Sequence, residues 1–375
     1  VGFCFGGNLA RGENPGLAER TPVNGEASLA SAVVLTLALL ITYKYCYHAA
    51  MNNEPQIIYN DSIRLAFSDV DETIAEVYSP AEPGMIEELS SFLQDGNKLF
   101  MVTGGSLARV QRDIIDYIDS SLRKDILVSH CSGAEVWGFD TGGDLRDAPF
   151  YSIYESIFTD DMKDSWRSIV RQLVDEFALR PHPAQAKTDF WSTIGHDPQD
   201  IMLDDRGPQI TMEIVNGTNM TQEQRAAVDY SVPVVHGKYD LRAAIQHRSI
   251  ELFAQAKLPL TPRFGGNFAL DFAIEGVSKT TSIQTVLADV KILETVGLNL
   301  DDVNNPDELE VWGDKFGVNG GTDRHMSLAL PPSVRSIDFR QENPAEFPKG
   351  YNIVIWNGKQ HLHHGLEEYL QSRHK

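Results

Sequence analysis

Phe67-Ser68-Asp69-Val70-Asp71-Glu72-Thr73 closes an apolar run that begins at Ile63, so two acids and a threonine alternate directly after a buried strand. In open α/β sheets, ligands bind beyond the carboxyl ends of the strands, which gives this loop a privileged place. Two carboxylates two residues apart repel one another unless a cation lies between them or one keeps a proton. Phosphoryl transfer uses both solutions: one Asp attacks phosphorus, Mg²⁺ offsets the crowded charge, and the second Asp carries a proton to the leaving group. Taken alone, the same seven residues also fit an acidic turn, so the reading depends on what stands around them.

Outward from this loop, Leu99–Val102, Ile126–Val128, Leu309–Trp312 and Ile353–Trp356 read as further strands. Between the first two strands, Met85, Leu89, Phe92 and Leu93 recur at helical spacing and end at Asp95-Gly96. Strand, helix, strand predicts a right-handed crossover and a parallel sheet. From about Tyr154 to Glu275 the rhythm changes, with helices expected around Trp166–Phe177, from Thr221 and from Tyr239, and strands at Gln209–Val215 and Phe268–Ile274. This region reads as an α+β domain inserted into the sheet domain.

Three more clusters sit at expected strand ends or helix starts. Thr103-Gly104-Gly105-Ser106 follows the second strand, where a hydroxyl and free N–H groups can hold phosphate oxygens. Gly276-Val277-Ser278-Lys279 opens a helix with Ser278 as its N-cap; a lysine in the first turn opposes the helix dipole, a placement that a nearby anion explains. Gly313-Asp314 ends another strand, with Asp323 after a Gly-rich loop, so a hard cation could be held there by oxygen ligands.

The order Asp-x-Asp-x-Thr, Thr-Gly, Lys, Gly-Asp resembles the haloacid dehalogenase superfamily of phosphotransferases over about residues 64–356. The resemblance implies a Rossmann-like α/β parallel-sheet core with an inserted α+β cap of the C2 type. Asn267 to Asp271 leading into Gly276–Thr280, and the turn Ser132-Gly133-Ala134-Glu135, look like the C2b subgroup, which includes sugar-phosphate phosphatases and eukaryotic phosphomannomutases. With the change of composition near Ala50, this divides the chain into an N-terminal extension at 1–58, core at 59–153, cap at 154–275 and core again at 276–375. By the same resemblance Asp69 is the nucleophile and Asp71 the general acid and base. Thr103, Gly104 and Lys279 bind the transferring phosphoryl group, and Asp69, the Asp71 carbonyl and Asp314 hold Mg²⁺. Glu72 stands where glycine is frequent, and the longer interval to Asp323, with Thr322 before it, separates that residue from the compact family pattern as a metal ligand. Arg206, Arg263 and Asn267 are the candidate substrate contacts of the cap.

The expected activity is hydrolysis of a small phosphorylated metabolite, a sugar phosphate above all, through an aspartyl-phosphate. Two rivals are a phosphomannomutase-like mutase, suggested by Gly313-Asp314-Lys315 and Gly320-Gly321-Thr322-Asp323, and a catalytically silent binding protein. Across all 375 residues, 32 basic against 53 acidic side chains leave a net charge of -21, which argues against a nucleic-acid groove. Cys4, Cys46 and Cys131 are scattered and odd in number, matching a reducing cytoplasm better than a disulfide framework. Residues 27–43 carry no charge and crowd Val33, Val34, Leu35, Leu37, Leu39, Leu40 and Ile41. They are the one stretch suited to membrane contact, at the short end of the ~17 to 25 residues a span needs. A buried or partner-packed helix, and an upstream stretch outside the working protein with Met51 as its start, are the other readings. His361, His363 and His364 precede an amphipathic C-terminal helix and read as solvent-facing.

Overall fold

The computed structural model describes residues 57–374 apart from 186, 229, 266 and 267. Asn267 and residues 27–43 therefore lie outside the described residues. Among the described residues no helix is long and apolar enough to cross a membrane.

The core begins with β1 (Leu65–Ser68), α1 (Pro83–Gln94), β2 (Lys98–Val102), α2 (Leu107–Asp113), β3 (Ile126–His130), β4 (Glu135–Gly138) and β5 (Tyr151–Ser152). The following segment supplies α3 (Asp160–Glu176), β6 (Arg180–His182), β7 (Asp200–Asp205), β8 (Gln209–Glu213), a small hairpin of β9 (Val234–Val235) and β10 (Lys238–Tyr239), α4 (Leu241–Gln255), β11 (Leu260–Gly265) and β12 (Ala269–Ile274). The chain then returns through α5 (Lys279–Ala288), β13 (Leu309–Gly313), β14 (Arg335–Asp338), β15 (Ile353–Ile355) and α6 (Leu362–Gln371).

One sheet has the order β15-β14-β13-β1-β2-β3-β4-β5. Its first six strands are parallel, and β4 and β5 extend it antiparallel. Alternation along β1 explains the layers. Ala66 joins Leu99, Met101 and Trp312 under Met85, Leu89 and Phe92 of α1 and Leu366 and Tyr369 of α6. Leu65 and Phe67 face the other way, with Phe100, Val102 and Val311, against Ile283 and Val286 of α5. Both faces are covered, as a parallel sheet requires. β14, β4 and β5 were absent from the sequence reading. Arg335-Ser336-Ile337-Asp338 is too polar to score as a strand, yet Ser336, Ile337 and Asp338 are buried.

The second sheet has the order β11-β12-β8-β7-β6. In β8 the apolar Ile210 and Met212 pack with Trp166 and Leu173 of α3 and Leu241, Ile245 and Phe253 of α4. The alternate residues Gln209, Thr211 and Glu213 point to the opposite face, and they are buried as well. A polar sheet face that is buried needs a partner, and here that partner is the carboxyl edge of the core sheet: Arg206 donates from Nη1 to the Gly104 carbonyl at 3.0 Å, and Tyr78 donates its hydroxyl hydrogen to Glu213.

Candidate active site

The parallel register places the carboxyl ends of β1, β2 and β13 side by side, with Ser68 opposite both Met101 and Trp312. Asp69, Thr103 and Asp314 thus emerge at one edge. α5 approaches it end-on. Ser278 caps this helix by accepting from Thr281 N, which fixes Lys279 in the first turn. Gly133 makes the approach feasible: its φ is +110°, and a Cβ there would meet the Ser278 carbonyl oxygen at 2.2 Å.

Lys279 is buried and donates to Asp69 Oδ1 at 2.5 Å and to Asp323 Oδ1 at 2.8 Å. Asp323 Oδ2 accepts the main-chain N–H groups of Asp314 and Lys315, each at 2.9 Å. Asp314 pairs through Oδ2 with Arg340, whose Nε lies at 2.8 Å. Its Oδ1 is buried with no hydrogen-bond partner. Three buried carboxylates, Asp69, Asp314 and Asp323, hold ligand atoms within 4.8 Å of one another.

Their electrostatics follow from this crowding. Burial, and then the charge of Asp323, push the Asp69 carboxyl well above its usual range, with Lys279 only partly opposing them. Burial and Asp323 likewise raise Asp314 to about 6. For Asp323 burial works against the charged form, but Lys279 and the two N–H donors outweigh it and hold the group below its ordinary value. Two cations, Lys279 and Arg340, face the three buried carboxylates of the cluster. An all-oxygen donor set with one unpartnered buried oxygen fits a hard divalent cation such as Mg²⁺. Asp323, distant from the family spacing in sequence, stands in the centre of this cluster.

Thr103 is buried, and its Oγ1 accepts Gly105 N at 2.9 Å. That bond leaves the hydroxyl hydrogen for an anionic oxygen. The Asp71 side chain lies further out, paired with Arg109, which also reaches Asp113 at 3.7 Å and stacks over the Tyr78 ring at 4.9 Å. Arg109, Tyr78 and Arg340 were missed from sequence because each is a lone residue whose partner is distant. From the cap, Arg206 reaches the core at Gly104 while Asp204 holds its Nε at 2.6 Å. Arg263 lies opposite Asp271 on the polar face of the cap sheet, close enough that its charge acts on both Asp271 and His325.

No protein-family model matches the chain, and no curated protein matches its sequence. Similar solved structures include an IMP-nucleotidase of Plasmodium falciparum with IMP bound (12% identity, 84% of this chain and 68% of that one, TM-score 0.43). A trehalose-6-phosphate phosphatase related protein aligns at 13% identity over 82% of this chain and 95% of that one, with a TM-score of 0.43. A phosphatase of the haloalkanoate (HAD) superfamily from Bacteroides thetaiotaomicron aligns at 14% identity over 84% and 99%, with a TM-score of 0.44. These are distant likenesses. The chain has an α/β fold: a mainly parallel sheet, a second sheet inserted between β5 and α5, and Asp69, Thr103, Lys279 and Asp314 gathered at its carboxyl edge, the arrangement that the resemblance in sequence to the haloacid dehalogenase superfamily implies.

Proposed function

We propose that this chain is a Mg²⁺-dependent phosphoric monoester hydrolase that acts on a small phosphorylated metabolite through an aspartyl-phosphate. The observation that carries this reading is the buried ammonium of Lys279 set between Asp69 and Asp323, beside an Asp314 oxygen with no partner. Mg²⁺, held by Asp69, Asp314 and the Asp71 carbonyl, would offset the repulsion between the Asp69 carboxylate and an incoming phosphate.

Lys279 and the Thr103 hydroxyl orient the phosphoryl group for in-line attack by an Asp69 carboxylate oxygen. As the phosphorus bond to Asp69 forms, the ester P–O bond breaks, and Asp71 gives its proton to the departing alkoxide. A water molecule then attacks the phosphorus, Asp71 takes back a proton, and phosphate leaves with the Asp69 carboxylate restored. The closed cap excludes bulk water during the first step.

Gln209, Thr211, Glu213 and Asp271 make the cap face a polar wall, bonded within itself and to Tyr78, and a wall of that polarity supports a hydroxyl-bearing metabolite such as a sugar phosphate over an apolar ester. A mutase must also hold a second phosphate. Arg206 is committed to Asp204 and the Gly104 carbonyl, which leaves Arg263, with a buried guanidinium nitrogen that has no hydrogen-bond partner, as the cation of the cap face among the described residues; one such group supports hydrolysis over a two-phosphate mutase. The test is phosphate release from a panel of metabolite monoesters with Mg²⁺. It includes hexose 1-phosphate with a trace of hexose bisphosphate, where fast formation of hexose 6-phosphate with little free phosphate would replace hydrolysis by mutase chemistry. Absence of turnover across the panel would favour a silent binding protein.

A further inference from the structure

On the face of the core sheet covered by α1 and α6, Glu82, His363 and His364 bring donor atoms together within 4.8 Å of one another. Glu82 is the N-cap residue of α1, and the two histidines lie in the first turn of α6. Successive residues of a helix ordinarily diverge. Here the two imidazole rings have centroids only 4.1 Å apart, and His364 Nδ1 is 3.7 Å from Glu82 Oε2. His363 Nδ1 is buried and has no hydrogen-bond partner.

A buried nitrogen left without a partner is costly, and two adjacent imidazolium ions would repel. Both penalties disappear if the rings are neutral and share a Lewis acid. Glu72 and Glu76 add their negative field to that of Glu82 at His363, which favours a cation at this helix start.

We propose that Glu82, His363 and His364 form a binding site for a divalent transition cation of the zinc class, held by two imidazole nitrogens and one carboxylate oxygen with water completing the shell. Two nitrogen donors select against Mg²⁺, which prefers an all-oxygen shell, so this site and the Asp69 cluster take different metals. The bound ion would tie the start of α1, and hence the end of the loop that carries Asp71, to the C-terminal helix. The inference does not depend on the chain being a phosphatase.

The full chain without an affinity tag, stripped with chelator and returned to excess Mg²⁺, is titrated with Co²⁺ and followed by visible absorption. A single cobalt per chain with ligand-field bands is expected. Glu82→Gln and the double change His363→Asn, His364→Asn should each raise its dissociation constant by at least about tenfold, whereas Asp314→Asn should leave it unchanged. Should the double variant misfold, His364→Cys serves instead, and a thiolate-to-cobalt charge-transfer band is expected from it. Absence of cobalt bands in the parent chain, their survival in the double variant, or their loss only in Asp314→Asn would overturn the assignment.

Discussion

Replacing Lys279 by methionine keeps the length and apolar stem of the side chain and removes one buried positive charge. The ammonium lies 2.5 Å from Asp69 and 2.8 Å from Asp323, so at an effective dielectric of about 20 each contact has a gross Coulomb energy of about 6 kcal/mol. Desolvation cancels much of that, and breaking a buried pair while its partners stay charged costs about 3–5 kcal/mol net. For a chain of this size such a loss lowers the melting temperature by about 4 to 6 °C. The assay is thermal unfolding in chelator and again in excess Mg²⁺. The deficit should be large in chelator and shrink with Mg²⁺, because a divalent ion among the same carboxylates takes over part of the neutralisation. Turnover should stay low in both, since Lys279 also orients the phosphoryl group for attack by Asp69. Lys279→Met unfolding together with the parent chain in chelator would refute the reasoning, because the three carboxylates would then not need the ammonium.

Asp71→Asn should slow turnover of alkyl phosphates by about 10²- to 10⁴-fold, measured as phosphate release, and should affect p-nitrophenyl phosphate far less, because that leaving group needs no proton. Arg109→Met removes the guanidinium that holds the Asp71 carboxylate and should show the same leaving-group dependence at reduced size. If both substrate types slow equally, Arg109 acts on folding and not on the placement of Asp71. The pH dependence follows from Asp314 and Asp338, raised to about 6 and about 7, chiefly by burial. Their folded pKa values exceed the unfolded ones, so the stability they contribute is complete below about pH 4 and is lost as pH rises through 6 to 7, by up to about 1.4 kcal/mol per unit for each group. Denaturant midpoints of the metal-free chain should therefore fall between pH 4 and 7 relative to those with Mg²⁺, and parallel curves would count against a cation among these carboxylates.

The parts of the fold that were legible are those written in local pattern. The helix carrying Met85, Leu89, Phe92 and Leu93 runs from Pro83 to Gln94 with those four residues buried, and Ser278 caps α5 as its position suggests. Asp69, Thr103, Lys279 and Asp314 were readable because each follows a strand or opens a helix, and parallel topology brings such points to one edge. The structure also places Asp323 against Lys279, a contact that depends on how the intervening loop folds back and so has no signature in spacing. The buried polar face of the cap was hidden for a related reason: alternation in Gln209–Glu213 predicts one wet and one dry face, and only the core opposite makes both dry. Arg109 and Arg340 carry no local signal, because their carboxylate partners stand 38 and 26 residues away. His363, expected in solvent, has a buried ring nitrogen because α6 packs its start against the loop before α1.

The central claim is that Asp69 itself carries the phosphoryl group. The chain is mixed with p-nitrophenyl phosphate and Mg²⁺, quenched in acid within a single turnover, reduced with borohydride and mapped by peptide mass spectrometry. Reduction of an aspartyl-phosphate leaves homoserine, so the account predicts homoserine at position 69, its absence when Mg²⁺ is withheld, and its absence in Asp69→Asn. Turnover with no homoserine at 69, or with homoserine at another aspartate, would contradict it.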